Sequence, residues 1–428
     1  MKKLVEGFCV AILILGITSV AEAVSGAFRI FASDSEALGK GGAFVGEADN
    51  PSAVLFNPAG LTQLKDGYHL SVGLTAIQPM VKQTNTSGVE TQMRRETFKV
   101  PHFYFVGGAG NAKIGVGSTA SWGLSTDWAK DSFSAYATTK TELQNLDNML
   151  TLSYPVNDQL SIGVGGVYDI STISKEKQIS QSPGADAQAQ LKGHDQSWGY
   201  TLSTLYKLSK QHQFGLVYKS PISLEYEVTV SANSFNDSGS LPYQTIFGGT
   251  SYTTDARADL KLPQSVSLGY SFKPDNKWRF NFDAEWMDWS SIESEKVYFL
   301  NETDPTRLAL LDALTASNRD WRSTVSYMVG TEYEWSDKLR LRGGYFYIPS
   351  PIPEANFDTA VPATTSHGIN LGFGYDIQKN LTVDMAWMTM IYENQTIDNT
   401  VGNAFGANLD GKYENITNLG LITLTYSF

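Results

Sequence analysis

The sequence predicts an all-β membrane protein: a 14-stranded antiparallel transmembrane β-barrel with a short N-terminal helical hatch plugging the lumen. Three observations predict it. Apolar and polar residues alternate through one segment after another, as strands with one face toward lipid require. Short and long connections alternate between those segments, which separates the two rims of a barrel. Ahead of the first strand stands a compact, glycine-flanked stretch with two helix-start signals, unlike anything after it.

Residues 1–23 read as a secretory signal peptide. Lys2 and Lys3 give a positive start, Phe8 to Val20 is almost wholly apolar, and Ala21-Glu22-Ala23 is a small-x-small cleavage site. The alternative is an uncleaved anchor, but the apolar run is too short to span comfortably. The only cysteine, Cys9, falls in this segment, too early for a lipid attachment point, so the mature chain has no disulfide or thiol metal site. The charge of −12 is diffuse and without basic runs, which argues against nucleic acid. Aromatics at 12% and 38 glycines in an exported chain with no apolar spanning helix suggest an outer-membrane barrel.

Residues 24–62 form the expected hatch. Ser33 or Asp34 can cap a first helix through Ala37 and Leu38, followed by "GKGGAFVG". Asn50-Pro51 and Asn57-Pro58 then repeat one device seven residues apart. Asparagine accepts a hydrogen bond from free amides at a helix start, and proline suits the first helical position. A fourteen-stranded barrel has a lumen its own side chains do not fill, so a piece starting on the periplasmic side can fold up and cork it. A loose tail is the alternative. It would leave Phe28, Ile30, Phe31, Phe44, Val45, Val54, Leu55 and Phe56 nothing apolar to pack on.

Residues 63–428 supply the barrel, with strands expected near 67–80, 99–108, 113–124, 149–156, 159–172, 196–208, 213–227, 258–272, 277–289, 321–335, 338–348, 366–377, 380–393 and 414–428. The last is the clearest: Ile422, Leu424, Tyr426 and Phe428 share one parity, with Thr423, Thr425 and Ser427 between them. Tight turns are readable at Gly110-Asn111, Asn157-Asp158, 209–212, 274–276, Ser336-Asp337 and 378–380. Long polar loops are expected at 82–98, 125–148, 173–195, 228–257, 291–320, 349–365 and 394–413. The strand number is even, which puts both ends of the barrel on one side. A terminal aromatic strand ending in Phe428 resembles the signal read by the barrel assembly machinery.

The stretch "SGAFRIFASDSEALGKGGAFVGEADNPSAVLFNPAGLTQL" resembles the hatch of the FadL/TodX family of outer-membrane transporters for long-chain fatty acids and hydrophobic compounds. Asn57-Pro58-Ala59, with Gly60 behind it, matches that family's NPA motif just before the first strand. "GLVYKSPISLEYE", "LKLPQSVSLGYSFKPDNKWRFNFDAEWMDWSS" and "LRLRGGYFYIPSPIPEANF" are similar to the family as well. The resemblance implies an apolar groove between outer loops, an interior pocket near the hatch, and a wall opening at an inward kink of the third strand. Cargo then leaves sideways into the membrane.

On this reading Gly115 and Gly117 are the kink candidates, since glycine permits bends, although ordinary barrel glycines also occur in "GVGGV". Leu143, Leu146 and Leu150 have helical spacing and suggest an amphipathic helix over the mouth, lining the groove or covering the rim. Lumen parity turns Arg279, Arg340 and Arg342 inward with Asp283 and Glu285. Such arginines can receive a carboxylate, or form a mutually neutralising ladder that braces the hatch.

No enzyme signature stands out. "GVG", "GFG" and "GVGG" lie within strands rather than at strand-to-helix turns, and the five histidines are scattered. No cofactor or metal is expected. The expected activity is passive, monomeric uptake of long-chain fatty acids, with aromatic or alkane hydrocarbons as the alternative cargo, across a lipopolysaccharide-bearing Gram-negative outer membrane. A water-filled porin and an outer-membrane hydrolase are the readings from other classes.

Overall fold

The computed structural model describes residues 27–30, 32–108 and 111–428; the expected signal peptide and Phe31 lie outside them. Among the described residues no helix is long and apolar enough to cross a membrane. The chain instead closes fourteen antiparallel strands into a barrel.

The strands are β1 Gly67–Thr84, β2 Phe98–Gly108, β3 in two segments (Lys113–Thr119 and Gly123–Asp127), β4 Lys140–Pro155 and β5 Leu160–Ile179. Then come β6 Ala187–Lys207, β7 in segments His212–Lys219 and Ile222–Asn233, and β8 in segments Ser251–Leu262 and Ser265–Phe272. The remainder are β9 Trp278–Met287, β10 Thr324–Ser336, β11 Leu339–Ile348, β12 Ser366–Gln378, β13 Leu381–Tyr392 and β14 Gly411–Ser427. Each pairs with the next, and closure comes from β14 on β1, with His69 opposite Ser427 and Thr84 opposite Lys412. Closure pairs the strand edges with one another, as lipid requires, except beside the interruption of β3 between Thr119 and Gly123.

Alternation sets the two faces. Ile422, Leu424, Tyr426 and Phe428 are exposed, while Leu421 before them and Thr423 between them are buried. The same outward series runs through Leu150, Leu152 and Tyr154 on β4 and Ile369, Leu371 and Phe373 on β12. A band of that size is stable only in contact with hydrocarbon. Polar side chains stop the strands at one rim: Asn157 Oδ1 accepts from the amides of Gln159 (2.9 Å) and Leu160 (2.8 Å), and Asp275 Oδ1 from those of Lys277 (2.7 Å) and Trp278 (2.8 Å).

Two expectations are corrected. Several strands run well past the predicted outer ends: β5 and β6 reach 20 and 21 residues, about twice the 9–11 that cross a bilayer. Their upper halves stand outside the lipid, where neither face needs to be apolar, so the alternation that marks a membrane strand fades while the ladder continues. The helix expected around Leu143, Leu146 and Leu150 is part of β4. Period two, not 3.6, governs these leucines: Leu143 is buried in the lumen cluster, Leu146 is half-buried and Leu150 is exposed on the outer face.

The hatch sits low in the lumen. It comprises α1 Ser35–Gly39, α2 Ala53–Phe56 and a 3-10 turn Pro58–Gln63. Asp34 caps α1 by accepting from the Ala37 amide at 2.9 Å. Asn50 Oδ1 accepts from the Ser52 amide at 2.8 Å, so the first Asn-Pro device makes a polar turn and α2 starts three residues later.

Candidate functional site

Asn57, Pro58, Ala59 and Gly60 form a joint between hatch and wall. Asn57 is fully buried; its Oδ1 accepts from the Ala59 amide (3.2 Å), and its Nδ2 donates to the carbonyls of Val45 in the hatch (2.9 Å) and Thr204 on β6 (3.2 Å). Pro58 occupies the first turn position, where no amide is needed. Ala59 N donates to Ser203 Oγ at 3.0 Å. Gly60 lies against Ala48, where a Cβ would fall 2.1 Å from the carbonyl oxygen.

The wall is carved to take this piece. A Cβ at Gly215 would lie 2.2 Å from Val45 O, at Gly269 2.2 Å from Gly46 N, at Gly330 2.3 Å from Lys40 O, and at Gly344 2.2 Å from Gly41 N. All four obstacles are hatch backbone, which cannot swing aside. Gly330→Leu should therefore leave an assembled barrel with an unseated hatch, seen as protease cleavage within residues 27–63 of the variant but not the wild type.

Charge completes the seating. Lys40, fully buried, donates to Glu36 (2.9 Å) and Glu47 (2.6 Å). Arg279 pairs with Glu47 and with Asp49 (2.7 Å). Arg342 is held by Glu332 (2.7 Å), Asp384 (2.5 Å) and Glu36 (3.4 Å), and Arg340 is bidentate on Asp376 at 3.0 and 2.8 Å. Asp283 Oδ2 accepts from the Phe44 and Val45 amides, each at 2.7 Å. The three arginines thus spend their donors on carboxylates of hatch and wall. Glu36, Glu47 and Glu332 offer three oxygens close together, yet the Lys40 ammonium already stands among them.

Above the hatch the wall is broken. The predicted third strand, 113–124, stops at Thr119 and resumes at Gly123. Its first segment pairs with β2 over Phe103–Gly107, whereas its second pairs with β4 alone, so β2 residues Phe98–His102 have β1 on one side and no β3 partner on the other. The break falls at Ala120–Trp122 rather than at Gly115 or Gly117. A Cβ at Gly115 would meet Val54 at 2.5 Å and one at Gly117 would meet Tyr104 at 2.7 Å. Those glycines make room for α2 and for a buried ring. In place of the missing ladder, the start of the hatch pairs with the break: Ile30 N donates to Ser121 O (2.8 Å) and Gly123 N to Phe28 O (2.9 Å).

Phe28 thereby enters a cluster with Trp122, Trp289 and Trp321, its ring centroid 5.9, 5.2 and 5.7 Å from theirs. Beneath it is a cavity of about 660 Å³ walled by Val45, Phe56, Met287, Trp289, Met328 and Ile348. Arg29, Lys219 and Glu285 also border it. Arg29 donates to Ser121 O (3.1 Å) and lies over Trp122, 5.1 Å from the ring centroid. Ser267 Oγ reaches Glu285 at 3.2 Å. Lys219 makes no side-chain hydrogen bond or ion pair among the described residues. Lys219 shares the lumen parity of Gly215 and Val217 on β7, so strand alternation alone places it on the inner face. The docking of Phe28–Ile30 on a break more than 90 residues away left no such signal.

The long loops fold inward over the mouth, placing Ile352, Phe357, Val361 and Ile397 in the same lumen cluster as Phe28. A cavity of about 960 Å³ remains between them, bordered by Lys175, Lys177, Arg319, Glu295 and Asp358. Burial pushes the Glu295 carboxyl up, but the charges of Arg319 and Lys175 outweigh it and hold the group well below the usual carboxylate range.

Comparison with known proteins agrees with this architecture. The family described as "Outer membrane protein transport protein (OMPP1/FadL/TodX)" matches residues 16–428. The long-chain fatty acid transport protein of Escherichia coli K12 is 25% identical over 405 residues, covering 85% of this chain and 87% of its own. Outer membrane protein P1 of Haemophilus influenzae is 23% identical, covering 90% of each chain. Among solved structures, a Pseudomonas aeruginosa FadL homologue superposes with a TM-score of 0.81 at 18% identity over 94% of this chain and all of its own. The toluene transporter TodX of P. putida gives a TM-score of 0.68 at 17% identity over 89% and 94%.

Proposed function

The chain belongs to the OMPP1/FadL/TodX family of outer-membrane transporters of hydrophobic compounds, and from that premise we propose that its cargo is an acyl chain ending in a carboxylate. Lys219 supports the reading: an ammonium with no ion pair among the described residues stands at a largely apolar cavity that it shares with Arg29 and Glu285. Burying an unpaired cation is costly, and an incoming carboxylate offsets that cost with a charge-assisted hydrogen bond. A pure hydrocarbon has nothing to offer it.

The route follows from the apolar surfaces. Cargo gathers in the loop cavity, passes the Phe28–tryptophan cluster, lodges above the hatch, and leaves through the interruption at Ala120–Trp122 once Phe28–Ile30 withdraws. On this reading the seated hatch obstructs a straight path to the periplasm, and the driving force is partition along an apolar surface into the membrane. Assembly as a monomer through the C-terminal strand ending at Phe428, in a membrane carrying lipopolysaccharide, belongs to the same proposal.

Lys219→Ala should weaken laurate or oleate binding to the purified protein about tenfold, the loss of one charged hydrogen bond, and leave dodecane binding within twofold. Unchanged laurate affinity overturns the proposal. The aromatic cluster favours a second reading, an aromatic hydrocarbon as cargo; toluene binding more tightly than laurate to the wild type supports it.

A further inference from the structure

Asp147 has no part in the route just described. It is buried on the lumen face of β4, opposite Thr119, the last residue before the wall breaks. Past it, β4 finds no β3 partner until Gln144 meets Gly123. The missing stretch of strand leaves polar atoms behind. Asp147 Oδ1, Asn145 Oδ1 and Ser121 Oγ are shielded from solvent and have no hydrogen-bond partner among the described residues.

Asp169 stands directly across from Asp147 on β5, its carboxyl against that of Asp147, and the hydroxyls beside the gap are already committed. Thr119 Oγ1 donates to Ser33 (3.1 Å) and Ser118 Oγ to Asn148 (3.1 Å). Asn145 turns its amide onto both oxygens of Asp169, at 2.9 Å each, which points its own carbonyl away from any donor. Buried polar groups nearly always find partners, so three unsatisfied atoms beside one gap call for a reason.

Asp147 and Ser121 border a second cavity, of about 520 Å³, which shares Arg29 and Lys219 with the cavity above the hatch. Its apolar wall includes Leu55, Trp122, Met149 and Ile222. The cations can only donate hydrogen bonds, whereas an ionised carboxyl can only accept them. A head that satisfies both sides carries an anion and, close to it, a hydroxyl.

We propose that this cavity selects hydroxylated acyl acids: Lys219 and Arg29 hold the carboxylate, while Asp147 accepts a hydrogen bond from the hydroxyl and Ser121 donates one to it. The assignment rests on the carboxylate reading above and adds the choice among carboxylates.

The test is displacement of a fluorescent fatty acid from the full-length protein in lipid nanodiscs. Decanoate, 3-hydroxydecanoate, 10-hydroxydecanoate and 1-decanol are compared. In the wild type, 3-hydroxydecanoate should bind about tenfold more tightly than decanoate, and 10-hydroxydecanoate should gain nothing. Asp147→Leu should shrink the 3-hydroxyl preference to twofold or less, and Ser121→Ala should reduce it. Equal binding of decanoate and 3-hydroxydecanoate by the wild type overturns the proposal and needs no variant to fold. A preference that survives Asp147→Leu also overturns it. If 1-decanol binds as tightly as decanoate, the carboxylate reading fails instead.

Discussion

Lys40→Met should turn a silent protein into a leaky one. In planar bilayers the wild type, with its hatch seated, should show almost no conductance, and the variant frequent open steps. Lys40 holds Glu36 at 2.9 Å and Glu47 at 2.6 Å inside the plug, with Glu332 at 3.8 Å. Removing one partner of a buried ion pair costs about 3–5 kcal/mol, because the abandoned carboxylates stay desolvated. A hatch that lifts off rehydrates them, so the penalty falls on the seated state alone. Adding Glu47→Gln removes one of the abandoned charges and should restore part of the closure. A Lys40→Met protein as quiet as the wild type would show that glycine packing and backbone hydrogen bonds seat the hatch without the charges.

Arg29→Cys/Trp122→Cys should give a transporter switched by redox state. These residues are opposite each other where the hatch start pairs with the wall break. Directly opposed antiparallel residues have Cα atoms roughly 4.5–5.5 Å apart, within the range a disulfide accepts. Oxidation locks Phe28–Ile30 onto the break; reduction frees it. Fatty acid uptake by cells expressing the double variant should fall at least tenfold on oxidation and return with dithiothreitol. The reduced form of the same protein controls for loss of the Arg29 charge. Undiminished uptake in the oxidised form would mean that cargo leaves elsewhere, and the lateral route would be abandoned.

The two experiments probe layers that differed in legibility. Arg279, Arg340 and Arg342 were readable as lumen residues because strand parity needs no knowledge of neighbours. Which carboxylate each one meets was not. Arg279 contacts Glu47 and Asp49, more than 200 residues earlier in the chain, and no local pattern encodes that distance. Gly115 and Gly117 show the same limit. A glycine in a strand signals a bend or a close approach with one symbol, and here it signals approach: Val54 and Tyr104 occupy the space. Leu143, Leu146 and Leu150 show the opposite failure, where an accidental three-and-four spacing outweighed a real period of two.

The order of residues alone sufficed for the closed fourteen-strand wall, the short turns at one rim, the apolar outward band and the presence of an N-terminal plug. Each follows from contacts among near neighbours: alternation along a strand, or a side chain accepting from the next few amides. The break at Ala120–Trp122, and a Lys219 ammonium and an Asp147 oxygen without a hydrogen bond among the described residues, emerged only once the sheet had closed around the hatch. Those features are defined by what is missing beside a residue, and an absence in space has no spacing in sequence.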